Sequence, residues 1–225
     1  MPSLRIANAV AIDDFNADNF DHTGLGFIGG GSVSTGQSGA RPIQSLTTPP
    51  GTPAFGQAWK MAIQKYFKSV ISVGFQGESP AYQYHFLDLD PNYRDVYGDP
   101  LLRITFDWEP NERAMIAYAG TKTLQIMQAI KPDIISGGPG ALPAHYDTSS
   151  YQSTHNTGGA IMGADPNTSV VNSYLQMWSA PNVFVVGACN FPQNAGFNPT
   201  GTVGALAYRA AEGVLKYQKS GGIVV

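Results

Sequence analysis

Three stretches of the chain repeat apolar residues at the spacing of an α-helix. The first covers about 53 to 67, where Thr52 stands at the N-cap position and Pro53 at the first helical position. The second covers 109–131, and the third covers about 203 to 217. The sequence therefore predicts three amphipathic helices.

Runs of β-branched and aromatic residues, bounded by Gly and Pro, predict strands between these helices. Residues 70–75, 82–89 and 101–108 read as three antiparallel strands, and 133–136 as a short fourth. The continuous apolar run 183–186 is typical of a strand that is buried on both faces. Helices and strands are thus both expected.

The N-terminal part of the chain has neither periodicity. Residues 13–52 are rich in Gly, Ser, Thr and Asp, and such long irregular segments usually wrap a ligand or another part of the protein. We therefore divide the chain into an irregular segment 1–52, a sheet-and-helix segment 53–131 and a C-terminal segment 132–225.

The composition excludes several classes of protein. Charged residues make up 13% of the 225 residues, against about 25% in an ordinary domain, so a cofactor, a partner subunit or further chain is expected to cover part of the surface. The formal charge of -3 and the scattered Lys and Arg leave no basic surface for a nucleic acid partner.

Cysteine content and hydrophobic run lengths exclude further classes. With one cysteine, Cys189, the chain can form neither an internal disulfide nor a zinc site of several thiolates. No run approaches the roughly 18 apolar residues of a membrane span, so none is expected. The first residues also lack the features of an export signal, and the compartment stays open.

A glycine-rich stretch superficially matches a dinucleotide-binding fingerprint. Gly24, Gly26 and Gly29 have the spacing G-x-G-x-x-G, which requires a buried strand before it and a helix after it. The preceding residues are polar and the following ones are mostly Gly and Ser. We interpret the stretch as a glycine-rich loop.

Among the four histidines, His155 is the candidate for chemistry. It precedes Gly158 and Gly159, which would let the backbone approach a flat ligand where a Cβ would obstruct it. His22, His85 and His145 show no metal-ligand spacing, and His85 lies within a predicted strand. No metal site is predicted.

The start of the third helix is the second candidate site. Asn198, Pro199 and Thr200 precede it, and a helix N-terminus presents free N–H groups and a partial positive charge. That end suits an oxyanion or the electron-rich edge of a reduced flavin. The simpler alternative is that Asn198 only caps the helix.

Together, these two motifs resemble the C-terminal end of the glucose-methanol-choline (GMC) oxidoreductases, flavoenzymes that oxidise alcohols. The family motif His-x-x-Gly-Thr-x-x-Met-Gly matches His155 to Gly163 except that Gly159 replaces Thr. Upstream, the chain looks like the large subunit of the gluconate 2-dehydrogenase type. The matching stretches are 12–16, 19–29, 87–91, 95–98, 103–108, 111–112, 155–163, 182–188, 190–192 and 198–209.

The resemblance implies an α/β fold with an α+β substrate domain of antiparallel sheet at 53–131. The C-terminal part of an FAD-binding domain, with the active site, would follow at 132–225. It also implies oxidation of a CH–OH group of a sugar, sugar acid or polyol, with hydride transfer to flavin N5. His155 would be the base and Asn198 the second active-site residue. FAD would contact the backbone at Gly187, Ala188, Pro199 and Thr200.

Two departures from the family pattern matter. The strand that usually ends in Asp-Ala ends here in Gly187-Ala188, which leaves only backbone groups for the cofactor. The dinucleotide-binding unit of the family's N-terminal half is missing, so the chain looks like the C-terminal half of such an enzyme.

The resemblance also implies partners. These are the missing N-terminal FAD-binding half and, in a gluconate dehydrogenase type complex, a small subunit and a cytochrome c acceptor. Such a complex would be periplasmic or membrane-associated. Two alternatives stay open: a catalytically inactive remnant or interaction domain, and a sugar oxidase of the pyranose type, which also uses a His and Asn pair.

Overall fold

The computed structural model describes residues 10–37, 47–67, 69–138, 140, 142–149 and 155–224. Within it, the chain forms two compact units, each built from two stretches. Unit 1 takes in 1–77 and 110–142, and unit 2 takes in 78–109 and 143–225. The division into three segments drawn from the sequence concerns functional roles and stays a prediction.

Unit 1 combines a three-stranded antiparallel sheet with two helices. Strand β2 (Gly31–Gln37) lies between β1 (Ala11–Ile12) and β3 (Ile71–Gly77). The helices are α1 (Gln57–Tyr66) and α2 (Pro110–Ile130). Strand β3 and both helices confirm elements that the periodicity predicts.

Strand β2 lies within the segment that the sequence indicates to be irregular, and that prediction was wrong for these residues. The strand shows no hydrophobic pattern in the sequence because most of its residues are small and Val33 is its one large apolar residue. The Val33 side chain is fully buried. A Cβ at Gly31 would lie 2.1 Å from the carbonyl oxygen of Gln76 on β3. Glycine is therefore required by the close approach of the two strands.

Helix α1 begins later than the sequence predicts. The Thr52 hydroxyl donates to the carbonyl of Pro49 at 2.7 Å and so belongs to a turn rather than to a helix cap. The helix follows Gly56, which has no side chain to cap it. The predicted capping role of Thr52 was therefore wrong.

The buried part of unit 1 lies where α2 covers the sheet. Met115 and Ala119 of α2 are buried, as are Phe27 and Val33 on the sheet side. A Cβ at Gly77 would lie 2.8 Å from the terminal methyl of Met115, so helix and strand are in close contact. Close packing of this kind makes the core sensitive to added volume.

Unit 2 contains two antiparallel strand pairs and a long helix. Strand β4 (Ser79–Pro80) pairs with β7 (Gln193–Asn194), and β5 (Phe86–Arg94) pairs with β6 (Pro100–Thr105). Helix α3 (Thr200–Ser220) closes the unit. The antiparallel pairing of β5 with β6 confirms two of the predicted strands.

Two other predicted strands were wrong. Residues 133–136 form no strand and follow Lys131, whose left-handed φ of 55° turns the chain at the end of α2. Residues 183–186 form only a single bridge, from Phe184 to Gln176, and Val186 is half exposed. A hydrophobic run becomes a strand only where the fold supplies a partner, which local sequence does not specify.

The core of unit 2 forms where α3 packs on the loop around residue 175. Val171, Leu175 and Ala210 are buried together, and Met162 and Leu206 pack against them. This arrangement fixes α3 relative to the segment that carries Met162.

Two buried amides hold the C-terminal residues against this core. The Gln176 side chain donates to the carbonyl of Gly222 at 2.8 Å and accepts from the backbone N–H of Val224 at 2.7 Å. The Asn172 side chain donates to the carbonyl of Val224 at 2.8 Å. Helix α3 is therefore held beyond its C-terminal end as well as along its length.

The described residues contain both helices and antiparallel sheets, which confirms the mixed α and β architecture. Among these residues, none of the helices has the length and hydrophobicity needed to cross a bilayer.

Gly213 tests the packing of α3. A Cβ there would lie 2.9 Å from Tyr174 Cβ and 3.0 Å from a ring carbon of Phe184. Overpacking costs about 1–3 kcal/mol, which outweighs the gain of about 1 kcal/mol when Ala replaces Gly in a helix. We expect Gly213→Ala to lower the melting temperature, measured by circular dichroism.

Gly204 on the same helix is the matched control, because no atom lies within 4 Å of a Cβ at that position. Gly204→Ala should gain helix propensity without strain and melt at or above the parental temperature. Equal melting temperatures for the two variants would contradict the packing described for Gly213.

Candidate functional site

A cavity of about 310 Å³ in unit 2 marks the candidate site. It is bounded by the end of the His155 motif, by the loop that follows the 3₁₀ turn Ala188–Asn190, and by the start of α3. The lining residues are Met162, Phe191, Pro192, Gln193, Ala195, Phe197, Asn198, Pro199 and Thr202. The two motifs singled out in the sequence therefore meet at one cavity.

Backbone hydrogen bonds join the two motif-bearing segments. The N–H of Ala160 donates to the carbonyl of Cys189 at 2.8 Å, and the N–H of Met162 donates to the carbonyl of Asn190 at 2.9 Å. These bonds lie outside the named strands. The segment after His155 is thus held alongside the 3₁₀ turn without a regular sheet.

The side chain of Asn190, which is fully buried, completes this junction. Its Nδ2 donates to the carbonyl of Ala160 at 3.1 Å, and its Oδ1 accepts from the N–H of Gly187 at 3.2 Å. One amide therefore bridges the two segments and fixes the backbone at Gly187 and Ala188.

His155 is half-buried and is held through its backbone. Asn194 Nδ2 on β7 donates to the His155 carbonyl at 2.7 Å. A short turn follows, in which Gly158 has a left-handed φ of 89°. A Cβ on Gly158 would lie 2.9 Å from the Cβ of Ala81. Glycine is therefore required here by the contact with Ala81 and not by a flat ligand.

Ala81 itself belongs to the frame of the cavity, because its N–H donates to the carbonyl of Pro192 at 2.9 Å. At Gly159 an added Cβ would make only an ordinary 4.0 Å contact with Cys189. The two glycines thus differ in function. Gly158 permits a tight contact within the protein, whereas the backbone at Gly159 has room beside it.

Helix α3 begins differently from the capped helix that was the simpler alternative. The N-cap residue is Pro199, and no side chain caps the first turn. Asn198 is exposed, and none of the hydrogen bonds that the structure describes comes from its side chain. The interpretation of Asn198 as a capping residue was therefore wrong.

The partial positive charge at the N-terminus of α3 is therefore not offset by a capping or acidic side chain of its first turn. The first N–H groups of a helix have no acceptor within the helix, and the first turn of α3 contains no acidic residue. Pro199 has no N–H, so Thr200 is the first residue of this turn that can donate from its backbone. The end of the helix can thus attract an anion or an electron-rich oxygen at the cavity.

The structure separates the predicted site residues into two groups. Asn198 and Pro199 line the cavity. His155, Gly187, Ala188 and Thr200 do not line it, but lie on the segments that frame it.

Sequence reasoning missed Asn190 and Asn194 as residues of this frame. Asn190 ends the 3₁₀ turn and Asn194 lies on the two-residue strand β7, in a part of the sequence without helical or strand periodicity. In such stretches asparagine commonly pairs with nearby backbone groups. That tendency is the signal by which they could have been noticed, and it names no partner.

A separate link joins His145 and Tyr146 to the residues that follow β6. Asp107 pairs with His145 Nδ1 at 2.6 Å and accepts from the N–H groups of Trp108 and Tyr146. The hydrogen bond from His145, followed by those from Trp108 and Tyr146, lowers the pKa of Asp107 to about 2. The carboxylate thus stays ionised and joins His145 and Tyr146 to the segment just after β6.

No group of three or more His, Cys, Asp or Glu within the described ranges is arranged to hold a metal ion.

The first turn of α3 gives a direct test of the Asn198 geometry. Loss of a capping side chain costs about 0.5–2 kcal/mol, but Asn198 makes no such bond. We expect Asn198→Ala to leave the melting temperature unchanged within error. A clear loss of stability in differential scanning calorimetry would show that the amide caps the helix after all.

The sequence comparisons agree with these motifs. The GMC oxidoreductase family matches residues 86–207, which is more than half of the chain. The gluconate 2-dehydrogenase flavoprotein of Pantoea cypripedii is 49% identical over 217 residues, covering 96% of this chain and 35% of that protein.

Two further relatives are more distant. The 2-methyl-1,2-propanediol dehydrogenase of Mycolicibacterium austroafricanum is 28% identical over 196 residues, covering 84% of this chain and 33% of that protein. The fructose dehydrogenase large subunit of Gluconobacter japonicus is 30% identical over 135 residues, covering 60% of this chain and 23% of that protein.

The chain spans about a third of the length of the first two of these relatives. The family match covers the strand pair β5–β6, the His155 motif and the first residues of α3. The chain therefore belongs to the GMC oxidoreductase family, as its motifs predict.

Proposed function

We propose that the chain is the C-terminal part of an FAD-dependent oxidoreductase that oxidises a CH–OH group of a sugar, sugar acid or polyol. One observation carries the proposal: the segment that follows His155 and the uncapped start of α3 meet at a single cavity. Membership of the GMC family implies FAD as the cofactor.

The residues present fit such a cofactor. The start of α3 has free N–H groups and no acidic neighbour in its first turn, which suits an electron-rich ring edge. Met162, Phe191 and Phe197 give the cavity apolar walls that suit a flat aromatic ring. When bound, FAD supplies the acceptor for the hydride that leaves the substrate carbon.

His155 is the base in this proposal. An imidazole can accept a proton near neutral pH, and here it would take the proton of the substrate hydroxyl. The protonated ring can then donate a hydrogen bond to the alkoxide oxygen. The bond from Asn194 supports this role because it fixes the backbone from which the imidazole extends.

Asn198 is the second active-site residue in this proposal. Its amide lines the cavity and has no structural hydrogen bond among the described residues, so it is available to a ligand. It would donate to the same substrate oxygen as His155. Two donors on one oxygen would orient the carbinol hydrogen for transfer.

Backbone groups complete the proposed site. The Asn190 amide fixes Gly187 and Ala188, which carry no carboxylate, so contacts to the cofactor there would come from the main chain. At the start of α3, Pro199 would provide surface and Thr200 the first N–H donor. The dipole of the helix would stabilise negative charge that develops beside it.

The finer assignment of partners follows the relatives. One of them is named a large subunit, which supports a complex of this chain's protein with a smaller subunit. A cytochrome c acceptor is the further partner that we propose from the family resemblance. The pyranose-type oxidase is the competing assignment. Comparing the rate with oxygen and the rate with an artificial electron acceptor distinguishes the oxidase from the dehydrogenase.

An interaction domain without catalytic activity is the second candidate function, and one observation favours it. Apolar side chains of the β5–β6 pair are more than half exposed, and such a patch is typical of a surface that contacts other protein. These residues are Leu87, Leu89, Leu102 and Ile104. Absorbance bands of bound flavin that bleach with substrate would exclude this candidate.

His155→Ala tests the proposed base. Removing a general base lowers a rate by about 10²- to 10⁴-fold, so flavin reduction by gluconate should fall by that factor in the complete, FAD-loaded enzyme. The rate should partly recover at high pH, where hydroxide ionises the alcohol. Stopped-flow absorbance measures both, and a parental rate in the variant would assign the proton to another group.

Asn198→Asp tests the second residue. The change removes the amide N–H donor and places a negative charge beside the flavin ring, which would itself become more negative when it is reduced. We expect flavin reduction to slow by at least ~10-fold, equivalent to about 1.4 kcal/mol, and the reduction potential to fall. Potentiometric titration and stopped-flow absorbance check this, and an unchanged rate and potential would remove Asn198 from the mechanism.

A further inference from the structure

The His155 carbonyl accepts a hydrogen bond from the side chain of a residue far along the chain. Residues 155–158 belong to neither a helix nor a strand. Asn194, 39 positions further along the chain, donates from Nδ2 to the His155 carbonyl at 2.7 Å. This short contact is of the length expected for a well-formed hydrogen bond.

Asn194 is itself fixed by the backbone. It lies on β7 and pairs with Ser79 of β4 in antiparallel register. The adjoining N–H of Ala81 donates to Pro192, and Ala81 also packs against Gly158. The Asn194 amide therefore extends from a strand pair whose neighbouring residue Ala81 lies against the turn after His155.

The two ends of the Asn194 amide are used differently. Its Nδ2 is bonded to His155, whereas its Oδ1 is buried and no described residue donates to it. Burying an acceptor without a donor is unfavourable, so the side chain gains little stability from its oxygen. Among the described residues, the one hydrogen bond of this side chain is its donation to the histidine backbone.

We propose that Asn194 is a positioning residue for His155, setting the place from which the imidazole reaches the substrate oxygen. The proposal rests on the function proposed above. A misplacement of about 1 Å at a catalytic group can cost up to about 10²-fold in rate, so a residue that fixes the histidine backbone governs the rate without touching the substrate.

Asn194→Ala removes both the donor and the buried, unpaired oxygen. The His155 backbone should then move more freely while the fold loses little stability. In the complete, FAD-loaded enzyme we expect flavin reduction by gluconate to fall about 10- to 100-fold with little change in the substrate concentration at half-maximal rate. The melting temperature should remain close to the parental one.

Asn194→Asp is the second variant. It keeps the shape of the side chain but replaces the N–H donor with a carboxylate oxygen that faces the His155 carbonyl. Among the described residues, no donor bonds to the existing Oδ1 either. Its flavin reduction should be at least as slow as that of Asn194→Ala. Asn182→Ala, at an exposed asparagine of the same unit, is the matched control and should react at the parental rate.

A readout independent of turnover separates positioning from a general loss of structure. The 225-residue chain contains four histidines, so selective 13C labelling of the imidazole Cε1 in this chain gives one signal each for His22, His85, His145 and His155. His155→Ala identifies the fourth signal. In Asn194→Ala this signal alone should shift or broaden, and in Asn182→Ala none should.

The outcomes distinguish this inference from the proposed function. If His155→Ala reduces flavin slowly while Asn194→Ala keeps the parental rate and histidine spectrum, the positioning role is overturned and the base remains. If His155→Ala itself keeps the parental rate, the proposed function fails. A fall in melting temperature together with shifts in all four histidine signals would show that Asn194 is only structural.

Discussion

The candidate site depends on one buried amide. The Asn190 side chain accepts a hydrogen bond from Gly187 and donates one to Ala160. It thus connects two segments that are not paired with each other in a regular sheet. A buried amide with both ends paired specifies one arrangement of its neighbours, because each alternative would leave a polar group unpaired. The cavity can keep its shape without a surrounding sheet because this junction is fixed.

Elements with strong local signals could be predicted from the sequence. Helices α2 and α3 follow apolar residues at helical spacing, and β5 and β6 follow aromatic and β-branched runs. These patterns are properties of the local sequence. The chain needs no distant partner to display them.

Elements that depend on distant contacts could not be predicted. Strand β2 has little hydrophobic pattern and exists because its glycines allow β3 to approach. The apolar run 183–186 has the pattern of a strand but lacks a strand to pair with, apart from one bridge. In the site, His155 and Asn198 were found through their motifs, whereas the partners of Asn190 and Asn194 depend on contacts 30 and 39 residues away.

The hydrogen bonds that form the frame of the cavity come from other groups than several of the side chains that line it. Backbone groups and two asparagines form the frame, whereas Gln193, Ala195 and Phe197 face the cavity, and none of the described hydrogen bonds comes from their side chains. In evolutionary terms, mutations of these three side chains leave the frame intact, so they use little of the narrow stability margin that limits most substitutions. Lineages that share this framework can therefore diversify in the molecules they accept while the chain continues to fold.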